Sequence, residues 1–83
     1  MSRTIVTLVG KDHVGIIAAV CNYFADNNIN ILDIKQTTVQ DYINMILIVD
    51  TSAYQHGFDK LNEGLEEVGK KVGCIIKYRE FLP

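Results

Sequence analysis

Thiols are scarce in this chain: 83 residues carry only Cys21 and Cys74. They lie too far apart for a C-x-x-C redox or metal motif, and they sit on apolar segments. Both therefore read as reduced, buried core residues. Histidine is equally sparse, and neither His13 nor His56 has a partner at metal-ligand spacing, so no metal and no cofactor is expected. Basic residues do not predominate: eight Lys and Arg stand against ten Asp and Glu, for a formal net charge of -2. A nucleic-acid surface needs a basic stripe, and direct binding of nucleic acid is not expected here. Tyr23, Tyr42, Tyr54 and Tyr78 are too scattered to form a stacking platform for single strands. No apolar run, that around Met45 to Val49 included, comes near the roughly 20 residues that cross a bilayer. Arg3 is followed at once by alternating Thr and aliphatics rather than by an apolar leader core, so the expectation is a cytoplasmic protein without a membrane partner.

What is present is ordinary globular composition, with 48% hydrophobic and 22% charged residues. The length allows one core, so residues 1–83 are expected to form a single domain.

Hydrophobic periodicity divides the chain into six elements. Thr4 to Val9 alternates in β-branched residues and stops at Gly10, as a strand does. From Val14 the period changes, and Ile17, Val20, Cys21 and Phe24 predict one face of a helix. Asp12 is a candidate N-cap, and Asn27 and Asn28 suit the helix C-terminus. Ile29 to Val39 and Tyr42 to Val49 predict two strands joined by a turn at Gln40 and Asp41. Phe58, Leu61, Leu65 and Val68 predict a second helix ending near Gly69, and Cys74 to Phe81 a last strand. The acidic residues Glu63, Glu66 and Glu67, followed by Lys70 and Lys71, suit the solvated face of that helix and its dipole. The order β-α-β-β-α-β predicts an α+β, ferredoxin-like βαββαβ sandwich. Its four-stranded antiparallel sheet has order 4-1-3-2, with both helices on one face.

Two strands depart from the apolar-in, polar-out alternation that such a sheet needs. In the third, Ile43, Met45, Leu47 and Val49 form one face while Tyr42, Asn44, Ile46 and Ile48 form the other. The first sets Ile5, Thr7 and Val9 against Val6 and Leu8. The chain has no third layer to cover a second apolar face, so that face, or the edge beside it, is expected to meet another subunit in a homodimer.

The stretch Gly10-Lys11-Asp12-His13-Val14-Gly15 has the outline of a phosphate loop, but Ile16 and Ile17 stand where Lys and Ser or Thr are needed, so it is no nucleotide site. Two readings of its residues remain. In one, the free N–H groups of a strand-to-helix turn seat a carboxylate while Asp12 pairs with an ammonium group, which together describe an α-amino acid. In the other, the glycines allow a tight turn, Asp12 caps the helix and His13 is a solvated side chain.

The strand, this turn, the helix, and Asn28-Ile29-Asn30-Ile31 opening the second strand together resemble an ACT domain. The similarity covers nearly the whole chain and is strongest to the free-standing UPF0237-like proteins of bacteria and archaea. It extends to the ACT domains attached to formyltetrahydrofolate hydrolases and glycine-cleavage regulators. The specific signals are the Asp-x-x-Gly-Ile turn and the Asn-Ile segment. The resemblance implies a regulatory domain that binds a small molecule, usually an amino acid, between paired subunits. It assigns ligand contact to Gly10, Lys11, Asp12, His13, Val14 and Gly15 in the turn, and to Asn30 and Ile31 on the neighbouring strand. Val14 departs from the family pattern, which commonly has Pro before the Gly.

Two other classes compete with the sensor. An assembly module would use the two-faced sheet and bind no metabolite, but would have no use for Asp12 and Asn30 beside an open turn. An acylphosphatase-like enzyme would use an Arg in the first loop and an Asn on the third strand. Asn44 suits the second role, but the loop offers Lys11 and no Arg, and no triad or metal set is recognisable elsewhere, so no catalytic residue is expected.

Overall fold

The computed structural model describes residues 3–80. It contains β1 (Arg3–Lys11), α1 (Ile16–Asp26), β2 (Asn30–Val39), β3 (Tyr42–Asp50), α2 (Phe58–Val72) and β4 (Cys74–Glu80). The strands form one sheet in the order β2-β3-β1-β4, with every neighbouring pair antiparallel. This is the expected 4-1-3-2 order read from the other edge. Residue 81, expected in the last strand, lies outside the described residues.

The core follows from period-2 alternation on the strands meeting apolar stripes on the helices. Val6 and Leu8 of β1, Ile43, Met45, Leu47 and Val49 of β3, and Cys74 and Ile76 of β4 all face the helices and are buried. Each such Val, Leu, Ile or Met side chain contributes about 1.5–3 kcal/mol relative to exposure. Against them α1 places Ile16, Val20 and Phe24, and α2 places Leu61, Leu65 and Val72. The buried stripe of α1 is thus Ile16, Val20, Phe24, and not the expected one: Ile17 is 44% exposed and Cys21 is only half-buried. Cys74 is the thiol that the core encloses, and burial pushes its pKa up, with the Asp12 charge acting in the same direction.

The second helix also runs further than expected. It continues through Gly69 to Val72 and ends at Gly73, which is left-handed at φ 70°. Gly69 serves packing instead: a Cβ there would come within 2.6 Å of the Cys74 carbonyl oxygen, so α2 closes on β4 only because the side chain is missing. The β2–β3 turn is the expected one, with Gln40 carrying the positive φ of 56°.

Helix cover does not extend along β2. Ile31 packs against the core, but every residue from Leu32 to Val39 is exposed, including Ile34 (41%), whose register partner Leu47 marks it as facing the helix side. A bulge between Ile31 and Asp33 interrupts the pairing to β3.

Candidate functional site

Gly10 and Lys11 belong to β1, so the connection to α1 is only Asp12 to Gly15. Gly10 is required by packing rather than by a turn: a Cβ would come within 2.5 Å of Cys74 Sγ and 2.9 Å of Cys74 Cα. Gly15 is where the chain reverses, at φ 100°, and it is the N-cap of α1. Asp12 does not cap the helix, contrary to expectation. No side chain caps α1, its first turn carries no acidic residue, and the Gly15 carbonyl accepts from the Ala19 N–H at 3.0 Å. The leading amides of α1 are therefore open to an external acceptor.

The Asp12 N–H donates to the Asp41 carbonyl at 2.7 Å, which draws the loop over the β2–β3 turn. Its carboxylate is exposed. Lys11 is exposed beside it, and Val14 is fully exposed.

His13 is no free side chain. Its Nδ1 faces the Val14 carbonyl at 3.0 Å, and its Nε2 makes a short hydrogen bond to the Val72 carbonyl at the last turn of α2. Two carbonyl acceptors favour the imidazolium, which alone donates from both nitrogens. The pKa of His13 is accordingly raised, first by Val72, then by Val14, with the Asp12 charge a smaller contribution. A raised folded-state value means that the strap from loop to α2 is complete below the unfolded pKa of about 6.5 and is lost as pH rises through the higher folded value. An NMR titration should therefore give a His13 midpoint above about 6.5, the ordinary imidazole value, with the Val14 and Gly73 amides moving in step. A midpoint at or below the ordinary value would contradict the two-carbonyl geometry.

The topology separates two of the expected ligand contacts. Asn30 and Ile31 open β2, where Asn30 pairs with Asp50, and Asp50 pairs with Arg3 at the start of β1. The loop lies at the other end of β1, beyond the Lys11–Tyr42 pair. Nine residue steps from Arg3 to Asp12 put Asn30 and Asp12 of the same chain roughly 30 Å apart. The order of elements already held this signal, because a β-α-β crossover returns the chain to the end where it began.

The clefts described in the chain lie elsewhere. A groove of about 390 Å³ runs between α2 and β4, among Asn62, Glu66, Gly69, Lys70 and Lys77. A second cleft separates the helices beside Tyr23 and Tyr54. Burial, and then the neighbouring Tyr54, push the Tyr23 pKa up to about 12. Among the described residues no group of three His, Cys, Asp or Glu is arranged to hold a metal ion, and no helix is long and apolar enough to cross a membrane.

Comparison with known proteins is consistent across sequence and structure. A UPF0237 protein of Clostridium acetobutylicum is 47% identical over 78 residues, spanning 94% of this chain and 88% of that protein. An ACT domain protein from Streptococcus pneumoniae superposes with a TM-score of 0.85 at 32% identity, covering 95% of this chain and 89% of that one. A formyltetrahydrofolate deformylase from Pseudomonas syringae shares the fold, with a TM-score of 0.88 at 17% identity, over 96% of this chain and 28% of its own. The ACT domain family model matches residues 4–63, and with that match the chain belongs to the ACT domain family.

Proposed function

We propose that residues 1–83 form a single, non-catalytic regulatory ACT domain, a homodimeric sensor of a small amino acid or related metabolite in the cytoplasm. The observation that carries this reading is the uncapped start of α1 next to Asp12, at the sheet end where β2 is bare on both faces. The open amides suit a carboxylate, and Asp12 suits an ammonium group. The missing contact comes from a second copy. If two β2 edges lie side by side and antiparallel, the partner's Asn30 and the partner's Ile31 reach the end of the sheet where Asp12 stands. Such pairing also covers Leu32 and Ile34 and removes a free strand edge. The ligand would then sit between subunits, with Gly10, Lys11, His13, Val14 and Gly15 forming its wall on one side.

Catalysis has less support. Asn44 lies on the face of the sheet away from the helices, beside Val9, and the loop carries no Arg. The reading as an assembly module without a metabolite rests on the exposed apolar residues of that same face.

Sedimentation at micromolar concentration should give twice 9.3 kDa. A thermal-shift screen of the amino acids and one-carbon metabolites should find a ligand that raises Tm; at about 100 times its Kd the gain is about 2.7 kcal/mol. A monomer whose Tm no compound moves would refute the sensor, and a dimer without a ligand would leave the assembly module.

A further inference from the structure

We propose that the sheet face opposite the helices is a docking surface for an acidic amphipathic helix of another protein, a surface that meets the proposed ligand site only at Lys11. Residues of this face alternate with the core residues, so the pairing registers fix its rows. One row reads Lys35, Ile46, Thr7, Lys77 across β2, β3, β1 and β4. The rows on either side carry Ile48 and Ile5 next to Arg79, and Asn44, Val9 and Ile75.

The two central strands of the face are open and aliphatic, with Val9 46% and Ile46 50% exposed, and Ile75 on the edge strand β4 extends them at 66%. Its flanks and ends carry Arg3, Lys11, Lys35, Lys77 and Arg79, all exposed, against Asp33 and Asp50 among the described residues. Most of the chain's cations thus gather on one face of a protein whose net charge is -2. On the helix side the signs are mixed, and α2 sets Asp59, Glu63, Glu66 and Glu67 against Lys60, Lys70 and Lys71.

Dimensions select the occupant. Lys35 and Lys77 are three strand spacings apart, roughly 14 Å. An α-helix is about 10–12 Å across with its side chains, so one lying along β1 and β3 has a cation on each flank and aliphatics beneath. A helix with an apolar stripe bordered by Asp and Glu is complementary to this on every side. A second copy is not: stacking the same face on itself opposes like charges, and the exposed side of α2 has charge but no apolar stripe. Nucleic acid is a poorer fit, because Tyr42, at one end, is the only aromatic among the described residues of this face.

The probe is a synthetic amphipathic helix of about 18 residues, long enough to span β1 at about 1.5 Å per residue, with leucines on one stripe and glutamates beside it. Its control keeps the leucines and replaces the glutamates with lysines. Titrated into the ¹⁵N-labelled protein, the acidic peptide should shift amides around Val9, Ile46 and Ile75. Its affinity should fall about tenfold between about 50 and about 300 mM salt. The double variant Lys35→Glu, Lys77→Glu should reverse the preference between the two peptides, and Ile46→Asp should abolish binding of both. These positions are exposed, and a circular dichroism melt of each variant verifies that it folds. Absence of acidic-peptide binding, equal binding of both peptides, or shifts confined to the helix side would each overturn the proposal. So would tighter binding of a single-stranded RNA oligomer or of anionic phospholipid vesicles to the same face.

Discussion

Replacing Phe24 by alanine is expected to remove about 3–5 kcal/mol of stability, far more than truncation of any exposed side chain on the same helix. Phe24 is fully buried between α1 and the sheet, in edge-to-face contact with Tyr23 at 5.7 Å. Its carbonyl also accepts from the Asn27 and Ile29 N–H groups at 3.1 and 2.9 Å, so the turn into β2 is anchored on the same residue. Truncation leaves a cavity lined by strands that cannot move inward without breaking their own pairing. A domain of this size has about 5–15 kcal/mol in total, so the melting temperature should fall by about ten degrees or more. Ile17→Ala on the same helix is the control. Being 44% exposed, it should change stability by no more than about 0.5 kcal/mol. Chemical denaturation of the two variants measures both, and an Ile17→Ala loss equal to that of Phe24→Ala would mean that α1 packs in another rotational phase.

The second large effect concerns the proposed intersubunit site. With a ligand identified by thermal shift, Asp12→Ala is expected to weaken its binding by about one to two decades, the size of a lost charge-assisted hydrogen bond of roughly 1.5–3 kcal/mol. The fold should be spared, because Asp12 is held by its backbone N–H to Asp41 and caps nothing through its side chain. Asn30→Ala should weaken the same ligand although it lies roughly 30 Å from Asp12 in its own subunit. Mixing the two single variants then provides a decisive measurement by calorimetry. A heterodimer of Asp12→Ala and Asn30→Ala subunits keeps one intact site when each site takes Asp12 from one subunit and Asn30 from the other, and one doubly damaged site. Half of the dimers in an equal mixture are heterodimers, so recovery of about one quarter of the wild-type stoichiometry is the expected result; no recovery would place both contacts within one subunit or neither at the site.

The comparison between α1 and α2 shows how much of the fold was legible and where reading stopped. In α1 both the expected and the observed stripe contain Val20 and Phe24. They differ at Ile16, Ile17 and Cys21, because two adjacent isoleucines fit either phase. The packed helix turns Ile16 inward, directly after the left-handed Gly15. In α2 Gly69 looked like a stop. A glycine has two distinct uses, a left-handed backbone and a missing side chain, and sequence does not separate them; Gly73 uses the first and Gly69 the second.

Order of elements and the division of β1 and β3 into two faces were determined by the sequence alone, through period-2 and period-3.6 patterns that are local properties of the chain; which face turns inward was decided by the packing of the helices. The loop from Gly10 to Gly15 and the segment Asn30-Ile31 were legible as motifs for the same reason. Tertiary structure decided which residues share a neighbourhood. It tied His13 to Val72 across 59 positions, set Gly10 against Cys74, and gathered Lys35 and Lys77 in one row. Those proximities depend on strand direction and register, which are long-range, and no local pattern of residues encodes them.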